Sequence, residues 1–303
     1  MTAAIEASGL GKKYRRLWAL SDCTLSIPVG RVVGLVGPNG AGKTTLLNLA
    51  TGMLTPTSGR IRVLGGAPGS GPDQLARVGY VAQDAPIYSG LSVADHLRLG
   101  AHLNPRWDAD LASRRISQLG LVLKQKAGTL SGGQRAQLAL TLAIAKRPEL
   151  LILDEPIASL DPLARREFLQ VLMESTAESG VSVVMSSHLV ADLERISEYL
   201  VVLVDSRVQV AGAIDELLAS HQLLTGPRRD PATMPPNQHV ITASHTDRQS
   251  TILVRCDEPI ADPSWTVDQI DLEDLVLAYM GQARTNRLDL SDRAGTKILE
   301  EKR

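Results

Sequence analysis

A glycine-rich turn between an apolar run and a helical one constrains this chain more than any other feature. Val32 to Val36 (VVGLV) leads into Gly37 to Thr44 (GPNGAGKT), and the run TTLLNLATGML follows. Five apolar residues without alternation suit a strand buried on both faces, as strands of parallel sheets are. A strand that empties through glycines into a helix turns backbone N–H groups and the positive helix terminus toward an anion. The octet matches G-x-x-x-x-G-K-[ST] at every fixed position, the P-loop pattern for nucleotide phosphates. On this reading Gly37, Pro38, Asn39, Gly40, Ala41 and Gly42 shape a cradle. Lys43 supplies a point charge, Thr44 offers its hydroxyl to Mg²⁺, and Thr45 stands beside it at the helix start. The bland alternative is a strand-to-helix turn with no ligand, and the Lys-Thr-Thr run in that context argues against it.

Three more apolar runs read as buried strands: Val78 to Ala82, Leu150 to Leu153 and Val181 to Met185. They alternate with helical patterns, which predicts an α/β fold on a parallel sheet, with ligands gathering beyond the strand ends. Leu150 to Glu155 (LLILDE) ends on two carboxylates. Asp154 suits the Mg²⁺ shell, and Glu155 suits a group that orients or deprotonates an attacking water. Two solvated carboxylates at a strand end are the competing reading, weakened by the upstream cradle.

The rest of the chain is arranged around these runs. At 303 residues it is long for one compact domain, which predicts a large domain over residues 1–218 and an extension over 219–303. Residues from about 85 to 146 read as an inserted helical subdomain broken at Asn104-Pro105 and near Gly128. Tyr199 to Val204 and Arg207 to Ala211 read as a hairpin closing the main domain. Residues 226–237 (GPRRDPATMPPN) read as a Pro-rich linker, followed by short strands at Val240 to Ala243 and Thr251 to Arg255. Leu272 to Met280 has the spacing of an amphipathic helix, and the last ~20 residues read as mobile. A formal net charge of -1 gives no electrostatic reason to expect nucleic acid. The two cysteines, Cys23 and Cys256, lie far apart with no zinc spacing, which suits a reducing cytoplasm. Charges interrupt every apolar run well before the ~20 residues a bilayer requires, and the N-terminus lacks a signal peptide's apolar stretch.

Between the cradle and LLILDE lies Leu130 to Gln134, LSGGQ. With that motif order the chain resembles the nucleotide-binding domain of ABC transporters from about Ile5 to Leu218. The resemblance implies a P-loop NTPase fold: a RecA-like parallel sheet core, an antiparallel β edge and an inserted helical subdomain. It also implies that Ser131, Gly132, Gly133 and Gln134 contact the γ-phosphate of ATP held by a second copy, so that catalysis needs a dimer, a homodimer being the simplest case. Ser-x-x-Gln is equally a helix capping box, and the two readings are compatible, because a capped glycine-rich helix start exposes N–H groups.

Further positions match the family one by one. Gln83 resembles the glutamine that touches Mg²⁺ or the lytic water, and Asp161 the aspartate that crosses the dimer interface, although Asp161-Pro162 is also a sound helix start. His188, in SSHL, resembles the histidine that bonds the γ-phosphate and positions Glu155. Tyr14 matches the aromatic that stacks on adenine, with Trp18 a nearby competitor. The chain departs from the family in PIASLDP, where relatives more often show PTSGLDP, and in AQLALTLAIA, which lacks an arginine often found there. The resemblance implies an ATP-hydrolysing subunit, peripheral on the inner face of the cell membrane, that powers a separate polytopic permease subunit. The tail LEDLVLAYMG and the NPRWD run resemble export systems; an importer subunit and a soluble non-transport ABC ATPase are the alternatives.

Overall fold

A computed structural model describes residues 3–282; the expected mobile tail lies outside the described residues. A six-stranded sheet forms the centre, in the order β5 (Val78–Val81), β6 (Leu150–Asp154), β7 (Ser182–Ser187), β3 (Val32–Val36), β8 (Tyr199–Val204), β9 (Arg207–Ala213). The first five run parallel, and β9 pairs antiparallel with β8 at the edge. β3, β6 and β7 are buried at every residue, as a sheet covered on both faces demands. Alternate side chains feed two cores. Val32, Val36, Leu151, Leu153, Val183 and Met185 pack toward α5 (Gly132–Ala145) and α6 (Pro162–Ser179). Val33, Leu35, Leu150, Ile152 and Val184 pack toward α1 (Lys43–Ala50) and an antiparallel sheet ordered β2 (Leu17–Pro28), β1 (Ala3–Tyr14), β4 (Ser58–Val63). That second sheet leaves little trace in the sequence, because its strands bury only part of their residues and register shifts interrupt β1 against both neighbours.

The segment expected to be helical holds α3 (Val93–Leu103), α4 (Ala109–Gln118), a 3-10 turn at Ala127–Thr129 and α5, with breaks where Asn104-Pro105 and Gly128 stand. Each helix begins on a side chain that accepts from its first turn: Ser92, Asp108 and Ser131. Val93, Ile116, Leu121, Ala127, Leu130 and Leu138 form a small core of their own, while the later residues Leu140, Ala143 and Ile144 of α5 join the main one. α4 does the same, with Leu111 and Ala112 in the main core and Ile116 in the small one, so two helices belong to both bodies. α2 (Pro72–Arg77) and α7 (Val190–Glu194) are short connections.

The Pro-rich stretch begins inside a strand, and its remaining residues connect two strands of one sheet. After α8 (Ile214–Ala219) the chain enters β10 (His221–Pro227) at once, so Gly226 and Pro227 lie inside a sheet ordered β11 (His239–His245), β12 (Gln249–Arg255), β10, β13 (Thr266–Gln269). Pro227 is tolerated because β13 pairs only with Gln222 to Thr225, leaving the last positions of β10 with β12 alone. Gly226 is required because the Trp265 ring occupies the place of a side chain: a Cβ at this position would fall 2.6 Å from the ring. A helix over residues 272–282, α9, buries Leu272, Leu275, Val276 and Tyr279 against the main core, the spacing read from the sequence. Among the described residues, no helix is long and apolar enough to cross a membrane.

Candidate functional site

The glycine-rich loop leaves β3 and winds onto α1 under steric rules that only glycine meets. A Cβ at Gly37 would fall 2.0 Å from the Leu203 carbonyl oxygen, and Gly42, at φ 107, would meet the Ala19 oxygen at 2.3 Å. Ala19 is brought there by a bulge: Lys12 faces Leu20 and Lys13 faces Trp18, so Ala19 is the extra residue. Ala19, Asn39, Gly40, Ala41, Gly42, Lys43, Thr44, Thr45, Gln83 and Glu155 line one recess of about 410 Å³. Lys43 is buried at its floor, where Nζ donates to the Gly37 carbonyl at 2.7 Å and to that of Pro38 at 3.4 Å. The same ammonium pairs with Glu155 Oε1 at 3.1 Å.

Glu155 follows β6 with φ 46, an uncommon conformation for a residue with a side chain. Its other oxygen, Oε2, lies 2.6 Å from His188 Nδ1. Burial pushes the carboxyl up, but the hydrogen bonds from His188 and Lys43 outweigh burial and hold it below the usual glutamate value. An ionised carboxylate only accepts, so His188 Nδ1 carries the hydrogen of that bond.

Asp154 is 1% exposed. Its Oδ1 accepts from the Ser186 hydroxyl at 2.7 Å, whereas Oδ2 has no partner. A buried carboxylate oxygen with nothing to accept fits a cation. Thr44, Gln83 and Asp154 all line one cavity of about 780 Å³, a hydroxyl, an amide and a carboxylate, which is the sparse hard-oxygen set that Mg²⁺ takes when substrate phosphates supply the rest. Asn48 and Tyr80 line the same space, and the Tyr80 hydroxyl donates to Asn48 Oδ1 at 3.1 Å. Burial and then the Asp154 charge push the Tyr80 phenol up to about 12, so it remains a donor.

The other expected site residues stand apart. Ser131 and Gln134 complete a reciprocal capping box at the start of α5, with Gly132 and Gly133 as its first helical residues. Asp161 caps α6, accepting from Leu163 and Ala164 at 3.0 Å each. Tyr14 is 45% exposed and Trp18 39% exposed, at a two-residue turn of the β1–β2 hairpin. None of these residues lines the recess or the larger cavity.

A family model described as ABC transporter matches residues 20–158. The thiamine import ATP-binding protein ThiQ of Shigella flexneri serotype 5b (strain 8401) is 36% identical over 203 residues, 65% of this chain and 87% of the relative. This chain belongs to the ABC transporter ATP-binding family. Among solved structures, the ATP binding subunit of an ABC transporter matches with TM-score 0.64 and 28% identity, over 71% of this chain and 91% of that one. The cbiO1 protein of Clostridium perfringens, described as part of the ABC transporter complex cbiONQ, matches with TM-score 0.62 and 27% identity, over 72% and 92%.

For an ABC cassette, binding ATP and hydrolysing it is the work of the domain. Motif reading reaches Lys43, Thr44, Gln83, Asp154, Glu155 and His188, and the structure brings the first five to the two cavities and His188 to Glu155. It misses Ala19, whose only sequence signal would be the bulge. It also misses Ser186, which stands two residues before His188 and is visible as the first polar residue after the apolar run Val183 to Met185.

Proposed function

We propose that this ABC cassette is a Mg²⁺-dependent ATPase that works as a pair of copies and powers transport through a separate polytopic membrane subunit at the inner face of the cell membrane. The observation that carries the reading is the convergence of Lys43, Glu155 and His188 at the phosphate loop. In the proposed reaction the loop N–H groups and Lys43 seat the β- and γ-phosphates, and Tyr14 or Trp18 stacks on adenine. Glu155, held ionised, orients the attacking water and takes its proton, while His188 fixes the rotamer of Glu155. Mg²⁺ held by Thr44, Asp154 and Gln83 would neutralise charge on the transferring phosphoryl group.

The paired arrangement is supported by the position of Ser131 to Gln134 and Asp161, exposed or at helix starts and outside both cavities of their own chain. The Gly132 and Gly133 N–H groups at the start of α5 suit the γ-phosphate of a second copy's nucleotide. Direction of transport is read as import. The matched relative carries thiamine import in its name, and the export expectation drawn from LEDLVLAYMG and NPRWD gains no support from it. Cargo contacts belong to the membrane subunit.

Glu155→Gln tests the reading. The variant is expected to bind ATP, to lose turnover by about 10² or more, and to elute as a dimer when loaded with ATP. Unchanged turnover removes Glu155 as the base, and a strictly monomeric ATP-loaded variant removes the paired arrangement.

A further inference from the structure

Ser186, the penultimate residue of β7, lies directly beside Asp154 in the parallel register and is completely buried. Its single hydroxyl does two things at once. The Glu155 backbone N–H donates to Ser186 Oγ at 2.8 Å, and Ser186 Oγ lies 2.7 Å from Asp154 Oδ1. The direction of both bonds is forced: a backbone N–H can only donate, so the hydroxyl oxygen accepts there and its one hydrogen is free for the carboxylate. The Asp154 carboxylate and the Glu155 backbone are thus tied through one atom. Engaging Oδ1 leaves Oδ2 as the only oxygen of Asp154 without a partner, and Asp154 lines the cavity shared with Thr44 and Gln83. Accepting from the Glu155 N–H satisfies the backbone where it turns to φ 46, the turn that carries the Glu155 side chain to Lys43 and His188.

We propose that Ser186 is a positioning residue for ATP hydrolysis: its hydroxyl orients Asp154 toward the cation and fixes the left-handed turn that aims Glu155 at the water. The inference rests on the site reading given under Proposed function. Without the hydroxyl, Asp154 has two unengaged oxygens and no preferred rotation, and the Glu155 N–H has no acceptor. Nucleotide contacts made by the loop and Lys43 are untouched. The defect is therefore confined to metal use and to the rate of the chemical step.

Ser186→Thr and Ser186→Val have the same shape and differ in the hydroxyl, so the pair separates hydrogen bonding from packing; Ser186→Ala provides the smaller side chain. In the full chain, folding is followed by thermal unfolding, ATP affinity is measured with EDTA and with Mg²⁺, and turnover is recorded against Mg²⁺ concentration. The valine and alanine variants are expected to keep the Mg²⁺-free affinity, to need about tenfold more Mg²⁺ for half-maximal tightening of ATP binding, and to lose about tenfold or more in kcat. The threonine variant is expected to restore both. Valine and threonine variants with equal metal dependence and equal kcat would overturn the proposal, as would an alanine variant matching the unsubstituted chain; should alanine or valine prevent folding while threonine does not, the Mg²⁺ dependence of the threonine variant and of Ser186→Cys decides. Asp154→Asn separates the two levels. If it hydrolyses ATP normally, the site reading itself falls; if it is inactive while the Ser186 variants are normal, only the role of Ser186 falls.

Discussion

The central sheet and the C-terminal sheet of this chain are built from similar lengths of strand and differ in where they put polar groups. β3, β6 and β7 are apolar and buried until their last residues, so polar chemistry appears only where the strands run out: the glycine loop after β3, Asp154 and Glu155 at the end of β6, Ser186 to His188 at the end of β7. In the C-terminal sheet, β13 is exposed at all four residues and β11 at most of its seven; Leu224, Ile252, Val254, Cys256 and Trp265 form a small cluster of their own, while Ile241 and Leu253 join the main core. Polar groups there are spread over a face. Strands buried along their whole length push polar groups out to their ends, and strands left exposed along much of their length do not.

The contrast can be broken or sharpened by experiment. The largest effect belongs to Glu155→Gln, which should remove turnover while leaving the unfolding midpoint of the C-terminal sheet where it was. Phe168→Ala comes next. Phe168 is fully buried on α6 in the main core, and its truncation is expected to cost about 3–5 kcal/mol, read as a fall in the denaturant midpoint of the main domain. Trp265→Ala should cost about 3 kcal/mol, confined to the C-terminal sheet, because Trp265 packs on Gly226 and inside the small cluster. ATP turnover that falls with Trp265→Ala would show that the two sheets are not separate in function.

The smallest effect is that of acid on Asp262. Hydrogen bonds from Ser264, then the pair with Arg229, lower its carboxyl to about 2. Its folded value is depressed, so its contribution is present above the unfolded value of about 3.9 and is lost as pH falls toward 2. Fluorescence of Trp265, over which Arg229 stacks at 5.3 Å, in a variant without Trp18 and Trp107, should change in that window. An unchanged signal from pH 4 to 2 would detach Asp262 from the stability of this sheet.

What can be read from residues alone follows the same division. Uninterrupted runs such as VVGLV and LLILD have one stable arrangement, a strand covered on both sides, and the motifs at their ends inherit that certainty. β1 and β2 are illegible because bulges shift their alternation, and β13 because TVDQ buries nothing. The start of the 226–237 run misleads because glycine and proline mark loops by their usual reasons, whereas here Gly226 makes room for an indole ring and Pro227 sits at a strand end with one neighbour. Ser131 and Asp161 are legible as helix caps, whereas their proposed roles toward a second copy rest on the same letters and leave no separate trace in one chain.

The ion pair between Lys43 and Glu155 ties substrate entry to activation on the proposed reading. Phosphate oxygens arriving at the ammonium compete with a carboxylate already there, so seating the substrate amounts to swapping one anion for another on a single cation. The displaced anion is the very group that must next receive a proton, and ligands too weakly charged to win the exchange leave it locked.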